Sequence, residues 1–495
     1  MASKTVFAGY PSVFVYKDPD GKKSVQHLLW GDWMLLKEGR TGDYCEVRAR
    51  GVDGWVHKDD IREERLLEIV FVDIGQGDGC LMVTPEDKHM VIDAGVGDNM
   101  ARFLNWRYGG FKKEWEFECA VISHSDADHY RGFDEIFQIP NVRFKTIYHN
   151  GIVERGGKDR LGPKTTTGQP RYLTDVVQTH TRLEQLVTDP ANWESRLYAR
   201  ILKKAIDNEV CGNFKMLSVE DGYMEGYGTE KALSIAVLGP VLERDSGSNP
   251  RLRWFGSAGK TKNGHSVVLR MQYRDISLLL GGDLNIPSEE LLLSYHTGLP
   301  CPPGNHEEHQ ILVEAARKVF QVDIAKSCHH GSADFSSTWI ASLNPIATVI
   351  SSGDNEPHSH PRADTLGSIG LHSRGVRPLI FSTELARSAK ESVKHPYILK
   401  QQFMKIKEEL EKVSVDTPEG QKKKEKLDKE FQKMVNQIER SIAVFGAINV
   451  RTDGRKVVIA QKLEQPRRTG GKTVKWDIYC LESQGSGPLT YQSKH

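Results

Sequence analysis

Strongly apolar segments that end in polar loops dominate the chain from Leu66 onwards. They include LLEIVFVDIGQGDGCLMV, HMVIDAG, CAVISHSDADH, HSVVLRMQYRDISLLLGGDLN, IAKSCHHGS and IATVISSGDN. Unbroken apolar strands are typical of a sheet that is buried on both faces, so helices are expected to cover it from outside. The sequence therefore predicts an α/β fold whose functional side chains collect in the loops after the strands.

Changes in composition divide the chain into units. Residues 1–65 hold short alternating apolar segments separated by Gly and Asp, which predicts a small antiparallel barrel. Residues 66–464 carry the apolar strands. They are interrupted at about 151–230 by a Gly/Lys/Thr-rich loop with helical stretches, and at about 395–442 by a pattern of spacings of three and four that predicts a helical hairpin. Residues 465–495 are predicted to form a C-terminal strand and tail.

Charge and cysteine content limit the class of protein. The 495 residues include 67 Lys and Arg against 66 Asp and Glu, so the net charge of +1 gives no overall electrostatic reason for a nucleic-acid or membrane partner. The seven cysteines are scattered without a C-x-x-C pair, as in proteins of reducing compartments. No apolar stretch approaches about 18 residues, and the N-terminus lacks the pattern of a signal peptide. We expect a soluble, cytoplasmic protein.

Metal-ligating residue types follow the strands in a consistent order. A site for two divalent ions needs His and carboxylate ligands from several loops, with one carboxylate between ions about 3.5 to 4 Å apart. Each short motif alone is a weak signal, but four motifs at strand ends favour a metal site. The candidates in chain order are His124, Asp126, Asp128, His129, His265, Asp283, His329 and His330.

The order of these motifs resembles that of the metallo-β-lactamase superfamily. More narrowly, FVDIGQGDGCLM, HSDADH, LLLGGDLN, HHGS and VISSGDNEPHSHP are similar to the soluble nuclease-like domain of ComEC-type competence proteins, over roughly residues 66–387 and again over 445–460. The GWVHKDDI ending of the first unit resembles bacterial SH3-like domains, in which a Gly-Trp-Val strand closes the barrel. These resemblances imply a metallo-β-lactamase αββα sandwich with a small N-terminal all-β SH3-like barrel and a helical hairpin insertion.

The resemblance implies ligands for one of two metals. They are His124, Asp126 and His265, and Asp283 would lie between the two ions. The better-known pattern has histidine where this chain has Asp126, and the carboxylate is normal for the ComEC-type branch. A carboxylate adds negative charge and a hard oxygen, which moves the metal preference from zinc towards manganese or magnesium, while the histidine ligands keep zinc a candidate.

The resemblance likewise implies that Asp128, His129 and one histidine of the adjacent pair bind the second metal. We favour His330 as this ligand and His329 as its neighbour. Asp128 is also expected to orient a metal-bound hydroxide for attack. The cofactors implied are two divalent ions, zinc or manganese, with magnesium as a third candidate.

Residues around the metals are assigned by the same comparison. His360, in the SHP motif, matches a family position suited to contact a leaving group or a phosphate oxygen. Four residues are expected to shape the loops beneath the metals rather than bind them: Asp73, Gln76, Asp78 and Asp93.

These features predict a metal-dependent hydrolase of phosphoesters, most simply a phosphodiesterase or nuclease that uses a dinuclear metal-bound hydroxide. The loop RGGKDRLGPKTTTGQPR would bind phosphates through backbone amides and cationic side chains, which makes nucleic acid a candidate substrate. An equally good interpretation of this loop is a mobile surface segment.

Two other classes of function stay open at this point. The fold also supports hydrolysis of a carboxylic ester, amide or thioester. A non-enzymatic adaptor would use the SH3-like domain and the hairpin to bind a protein or peptide, but no metal ligand is missing from the pattern, which argues against this class. ComEC-type proteins have a membrane channel that has no counterpart in this sequence, so DNA uptake and a membrane partner are not expected.

Overall fold

The computed structural model describes residues 4–353, 358–375, 377–383, 396–414, 417–439, 446–483 and 488–491. Several predicted segments extend beyond these residues, namely the ends of the 395–442 hairpin, part of the VISSGDNEPHSHP motif, and parts of the C-terminal tail.

An antiparallel β-sheet forms the N-terminal region. Its strands, numbered in chain order, are β1 (Lys4–Ala8), β2 (Ser12–Tyr16), β3 (Ser24–Leu29), β4 (Trp33–Thr41), β5 (Tyr44–Ala49), β6 (Val52–His57) and β7 (Ile61–Arg62). They pair in the order β3-β2-β6-β5-β4-β1-β7. Inward side chains such as Val13, Val15 and Leu28 form a small core of their own. The predicted all-β N-terminal region is confirmed.

Two larger sheets follow. Their strands and those of a small third sheet are β8 (Leu67–Phe71), β9 (Gly79–Val83), β10 (His89–Ala94), β11 (Trp115–Val121), β12 (Val142–His149), β13 (Tyr172–Leu173), β14 (Phe214–Met216), β15 (Leu233–Gly239), β16 (Glu243–Arg244), β17 (Pro250–Arg253), β18 (Val268–Tyr273), β19 (Ile276–Leu280), β20 (Ile324–Lys326), β21 (Ala347–Ile350), β22 (Leu379–Ser382), β23 (Ile448–Thr452), β24 (Val457–Thr469), β25 (Lys472–Ser483) and β26 (Leu489–Tyr491). The ten-stranded sheet has the order β14-β12-β11-β10-β9-β8-β23-β24-β25-β26, and the six-stranded sheet has the order β15-β18-β19-β20-β21-β22. One continuous apolar core lies between these two sheets.

Helices cover the outer face of each large sheet. In chain order they are α1 (Asn99–Arg107), α2 (Ala127–Tyr130), α3 (Phe133–Ile136), α4 (His180–Thr188), α5 (Pro190–Trp193), α6 (Leu197–Asp207), α7 (Ala258–Gly264), α8 (Ile286–Thr297), α9 (His306–Phe320), α10 (Ser337–Leu343), α11 (Ala363–His372), α12 (Pro396–Lys412) and α13 (Pro418–Glu439). Helices α1, α3, α4 and α6 pack on the ten-stranded sheet, and α8 to α11 pack on the six-stranded sheet. The predicted αββα sandwich is confirmed. In the described part of the chain, no helix has both the length and the apolar character that crossing a membrane requires.

Strand β10 shows why the apolar segments form this sandwich. Its six residues, HMVIDA, are all buried. Because side chains alternate between the two faces of a strand, Met90 and Ile92 enter the core between the sheets, whereas Val91 packs against the helices. An uninterrupted apolar segment therefore suits a strand that is covered on both sides.

The two predicted insertions attach differently. Within residues 151–230, α4 and α6 belong to the helix layer over the ten-stranded sheet, and β14 pairs with β12 at its edge. Strands β13, β17 and β16 form the small third sheet beside this region. The predicted helical hairpin is present as α12 and α13, with the rings of Phe403 and Phe431 4.9 Å apart between centroids.

The N-terminal sheet lies against the C-terminal hairpin formed by β24 and β25. The backbone amide of Lys475 donates to His27 Nδ1 at 3.0 Å, and Trp476 Nε1 donates to the His27 carbonyl at 3.2 Å. Strand β24 runs across the predicted boundary between the hydrolase domain, which ends at residue 464, and the C-terminal tail, which begins at residue 465. The division of the chain into domains stays a prediction.

Alternating buried charges join the N-terminal sheet to the core. The Arg451 guanidinium, which is 2% exposed, contacts Asp32 at 2.9 Å and Glu68 at 3.0 Å. Asp32 also pairs with Arg50 at 2.8 Å, and Glu68 pairs with Arg107 at 2.6 Å. Burial raises the pKa of Glu68, but Arg107 and Arg451 together lower it from 4.5 to about 2. The stability that Glu68 contributes is therefore complete above pH 4.5 and is lost as the pH falls towards 2.

We predict that Arg451→Met lowers the free energy of unfolding by about 3 to 5 kcal/mol, because Asp32 and Glu68 stay buried with one partner fewer. Urea unfolding followed by circular dichroism measures this loss. Arg455→Met removes the same charge from the exposed turn after β23 and should cost less than about 1 kcal/mol. Equal losses in the two variants would contradict the role of the buried charges.

Candidate metal centre

The centre lies at the adjacent ends of β10 and β11, which run parallel. After Val121 the chain leaves the sheet and turns inward, so that His124 and His129 are completely buried. Asp93, near the end of β10, accepts hydrogen bonds from the Ser123 amide and from His129 Nδ1, each at 2.8 Å. One carboxylate thus holds both the loop and the ring, and it leaves Nε2 of His129 pointing away from β10.

Four side chains with metal-ligating groups approach one another in the centre. His129 Nε2 lies 3.1 Å from Asp283 Oδ1. His330 Nε2 lies 3.3 Å from the other oxygen of Asp283, Oδ2, and 3.5 Å from Asp128 Oδ2. Ligand atoms about 2.1 Å from a tetrahedral ion are about 3.4 Å apart. Each of these three separations is of the size found between neighbouring ligands of one ion.

Several buried side-chain atoms of the centre lack hydrogen-bond partners. Nε2 of His124, His129 and His330 and Oδ1 of Asp283 are buried without one. The opposite nitrogens of His129 and His330 donate to a carboxylate at 2.8 Å and to the Ser351 carbonyl at 3.1 Å. Buried polar atoms are rarely unpaired, and a histidine that binds metal usually donates its other N–H in this way. The donor set therefore fits a divalent metal ion.

Asp78 lies behind this donor set. One carboxylate oxygen of Asp78 forms a close group with a ligand atom from each of three other residues, His129, Asp283 and His330. The four atoms lie within 4.8 Å of one another. The Asp78 carboxylate, however, faces Nδ1 of His129 at 3.9 Å and Nδ1 of His330 at 3.2 Å. Its Oδ2 is also ion-paired with buried Lys326. This position suits the supporting role predicted for Asp78.

The loop that carries Gln76 and Asp73 approaches Asp128 closely. Gln76 Nε2 donates to Asp128 Oδ2 at 3.4 Å. Gly77 has a φ of +105°, and a Cβ there would stand 1.7 Å from the Asp128 carbonyl oxygen, so only glycine permits this approach. Asp73 Oδ1 accepts from the Gly75 amide at 3.2 Å, which shapes the start of the loop.

The histidine pair after β20 has an unusual backbone. His329 and His330 both adopt left-handed conformations, with φ of +48° and +55°, which cost on the order of 1 kcal/mol or more each. His330 faces Asp128 and Asp283, as described above. His329 lies beside His360, with ring centroids 5.8 Å apart, and His330 lies 6.2 Å from His360. His360 therefore borders the centre.

The residues assigned to the other metal are only partly brought together. His124 Nε2 lies 3.8 Å from Asp126 Oδ2 and 3.9 Å from Asp283 Oδ2. His265 Nε2–H donates to the Arg253 carbonyl at 2.7 Å, and its Nδ1 is buried without a hydrogen-bond partner. Among the contacts of the described residues, none joins His265 to the other three side chains. The assignment of His265 to this metal stays a prediction.

Two lysines next to the centre were missed by the sequence analysis. Lys262 is ion-paired with Asp126, and Lys326 is ion-paired with Asp78. Lys326 ends the buried strand β20, and a lysine in an apolar strand is a signal that could have been used. Lys262 lies in the short helix α7, where no periodic pattern marks it.

Burial and the nearby carboxylates shift the pKa values of His129 and His330 in opposite directions. Burial lowers the pKa of His129 and His330, but Asp283 raises both well above the usual 6.5. Burial and the neighbouring His129 lower the pKa of His124 to about 3. Histidine binds metal through an unprotonated nitrogen, so an ion must displace protons from His129 and His330. Metal affinity is therefore expected to weaken as the pH falls.

We predict that Asp93→Asn weakens metal binding about 10- to 100-fold, since the amide cannot accept from both the Ser123 amide and His129. Competition with a chromophoric chelator measures the affinity. Asp98→Asn, whose side chain is 42% exposed at the start of α1, makes the same charge change and should bind metal as the wild type does. Unchanged affinity in Asp93→Asn would show that this carboxylate does not position the ring.

No curated protein matches the chain. Two metallo-beta-lactamases are among the solved structures that are similar to parts of it. One is a HARLDQ motif mutant of a metallo-beta-lactamase from Cronobacter sakazakii. It is 15% identical to this chain over 52% of this chain and 74% of its own, with a TM-score of 0.23. The other is MEM-A1, a subclass B3 metallo-beta-lactamase from a soil metagenome library, with 12% identity over 55% of this chain and 81% of that chain and a TM-score of 0.24.

The sequence profile of the Metallo-beta-lactamase superfamily matches residues 79–331, about half of the chain. The matched segment begins at β9 and ends just after His330, so it contains His129, Asp283 and the strands that position them. This chain belongs to the metallo-beta-lactamase superfamily, whose fold is that of metal-dependent hydrolases.

Proposed function

We propose that the protein is a metal-dependent phosphodiesterase that cleaves nucleic acid. The observation that carries this proposal is a cationic surface connected to the carboxylate-rich metal centre. Phosphodiesters are anionic, and their hydrolysis gains from positive charge around the phosphoryl oxygens. The uncharged ester, amide or thioester substrates of other hydrolases have no such need for an extended cationic surface.

The cationic surface lies on the 151–230 segment and the small third sheet. Lys164 Nζ lies 4.1 Å from the ring centroid of Trp254, and Arg251 Cζ lies 3.8 Å from that of Tyr172. These contacts hold the cations in place without neutralising them. We define the cationic surface by five side chains that form no ion pair with any described residue, namely Lys158, Arg160, Lys164, Arg171 and Arg251.

Helix α7 connects this surface to the centre. It begins at Ala258, shortly after β17 ends at Arg253. Its Lys262 contacts Asp126 in the loop that also carries His124 and His129. A phosphodiester chain that lies along the cationic surface would therefore lead towards the metal ligands.

The residues of the centre suit phosphoester hydrolysis. A divalent ion bound there would polarise a phosphoryl oxygen and lower the pKa of a bound water. Asp128, whose side chain is 18% exposed, can accept a hydrogen bond from an attacking water while Gln76 holds its Oδ2. His360 borders the centre and can donate to a phosphate oxygen or a leaving group. The carboxylates in the donor set favour manganese, with zinc as the alternative.

We further propose that the chain belongs to the ComEC-type branch, which the His-x-Asp-x-Asp-His loop and the order of the later motifs support. The N-terminal sheet would then be an SH3-like domain that binds a protein or peptide. A cytoplasmic location suits the cysteines, because none of the seven forms a disulfide in the described structure.

The assay that tests this function compares substrate classes. After loading with manganese or zinc, the protein should hydrolyse bis-p-nitrophenyl phosphate and oligonucleotides but not nitrocefin or thioesters. Asp283→Ala should lower the phosphodiesterase rate by about 10³-fold or more with the fold retained. Asp275→Ala, in the exposed turn between β18 and β19, is the matched control. Turnover of nitrocefin or thioesters in place of phosphodiesters would contradict the proposed substrate class.

The cationic surface can be tested by binding. The triple variant Arg160→Gln, Lys164→Gln, Arg251→Gln should weaken binding of a single-stranded oligonucleotide and reduce the slope of log affinity against log salt by about 2. The control neutralises three exposed lysines of α13, at positions 422–424, and should leave both quantities unchanged. If the α13 variant loses binding and the triple variant does not, the helical hairpin is the nucleic-acid site and our assignment is wrong.

A further inference from the structure

Asp126 has a cationic partner within the chain. The Lys262 ammonium is ion-paired with Asp126 Oδ1 and lies 3.4 Å from Glu154 Oε2 and 3.4 Å from the Ser125 carbonyl. The three contacts use the three N–H groups of the ammonium. The Lys262 side chain is 13% exposed and that of Asp126 is 28% exposed, so the pair is partly buried.

Helix α7 holds the other oxygen of Asp126 as well. The side-chain amide of Asn263 lies 2.6 Å from Asp126 Oδ2 and donates to it when its nitrogen faces the carboxylate. The helix is itself fixed, since Ser257 caps its first turn and Asn285 Nδ2 donates to the Lys260 carbonyl at 2.9 Å. Asp126 is therefore engaged on both oxygens by groups that a metal ion would have to displace or share.

The two candidate donor sets therefore differ in how closely their ligand atoms approach one another. In the first set, the three contacts described above measure 3.1 to 3.5 Å; they join His129 and His330 to Asp283, and His330 to Asp128. In the second set, His124 stands 3.8 and 3.9 Å from the nearest carboxylate oxygens, and among the described residues no contact joins His265 to it.

We propose that Lys262 is an internal competitor for the second metal ion, so that the protein holds one ion tightly and the other weakly. The first ion would be held by Asp128, His129, Asp283 and His330, and the second would bind at His124 and Asp126 against the ammonium already paired with Asp126. A lysine side chain is protonated at neutral pH, and its positive charge opposes a divalent cation at the same carboxylate. This inference rests on the metal centre of the proposed function but not on its substrate.

The test measures metal binding to the full-length protein. After metal removal, calorimetric titration with Mn²⁺ and separately with Zn²⁺ should resolve two steps in the wild type, the second about 100-fold weaker, and dialysis should leave about one ion per chain. Lys262→Met should tighten the second step at least about 10-fold, so that about two ions stay bound. Lys262→Arg keeps the charge and should behave as the wild type. Lys260→Met, on the exposed side of α7, is the control for loss of a lysine.

Two ions of equal affinity in the wild type would overturn the proposal, and this result does not depend on whether any variant folds. So would a second step in a folded Lys262→Met that is unchanged or weaker, because Lys262 would then support the second site. Metal counts are independent of hydrolysis. If they follow the expectation while no phosphodiester is cleaved, the proposed substrate is wrong and the role of Lys262 stands.

Discussion

Buried carboxylates beside buried histidines are the constraint on which this structure depends. Asp78, Asp93 and Asp283 are each less than a tenth exposed, and a buried charge without a partner costs several kcal/mol. Each carboxylate therefore needs its own counter-group: Lys326 for Asp78, the His129 N–H for Asp93, and the rings of His129 and His330 for Asp283, whose protons a metal ion would replace. Because these groups come from strands of both sheets, the charges balance only when the two sheets are packed together.

The fold and much of the centre follow from patterns in the sequence. Segments that are apolar at every position, such as Met90–Ile92, predict strands covered on both faces, and loops after neighbouring parallel strands must meet at one edge. These patterns do not predict the direction in which a side chain in such a loop points. His265 has the residue type of a ligand, but the sequence does not reveal that its Nε2–H donates to the Arg253 carbonyl in the small third sheet and that its Nδ1 is left without a hydrogen-bond partner. The contact of Lys262 with Asp126 likewise depends on how α7 packs, which no local pattern reveals.

Helical periodicity has a similar limit in the 151–230 segment. It predicts that α4 and α6 have an apolar face, but not that this face covers the ten-stranded sheet as part of the main core. The apparent insertion is thus a structural layer of the hydrolase fold. The contact of the N-terminal sheet with β25 is equally invisible in the sequence, because it joins residues that are far apart along the chain.

That contact affects how the protein is made. Trp476 and the His27 carbonyl that it contacts are 449 positions apart along the chain. During synthesis the N-terminal sheet leaves the ribosome long before β25 exists, so its edge strand β3 lacks this contact until then. Open edge strands are templates for association with other chains. A nascent chain released before β25 would therefore present β3 to other chains.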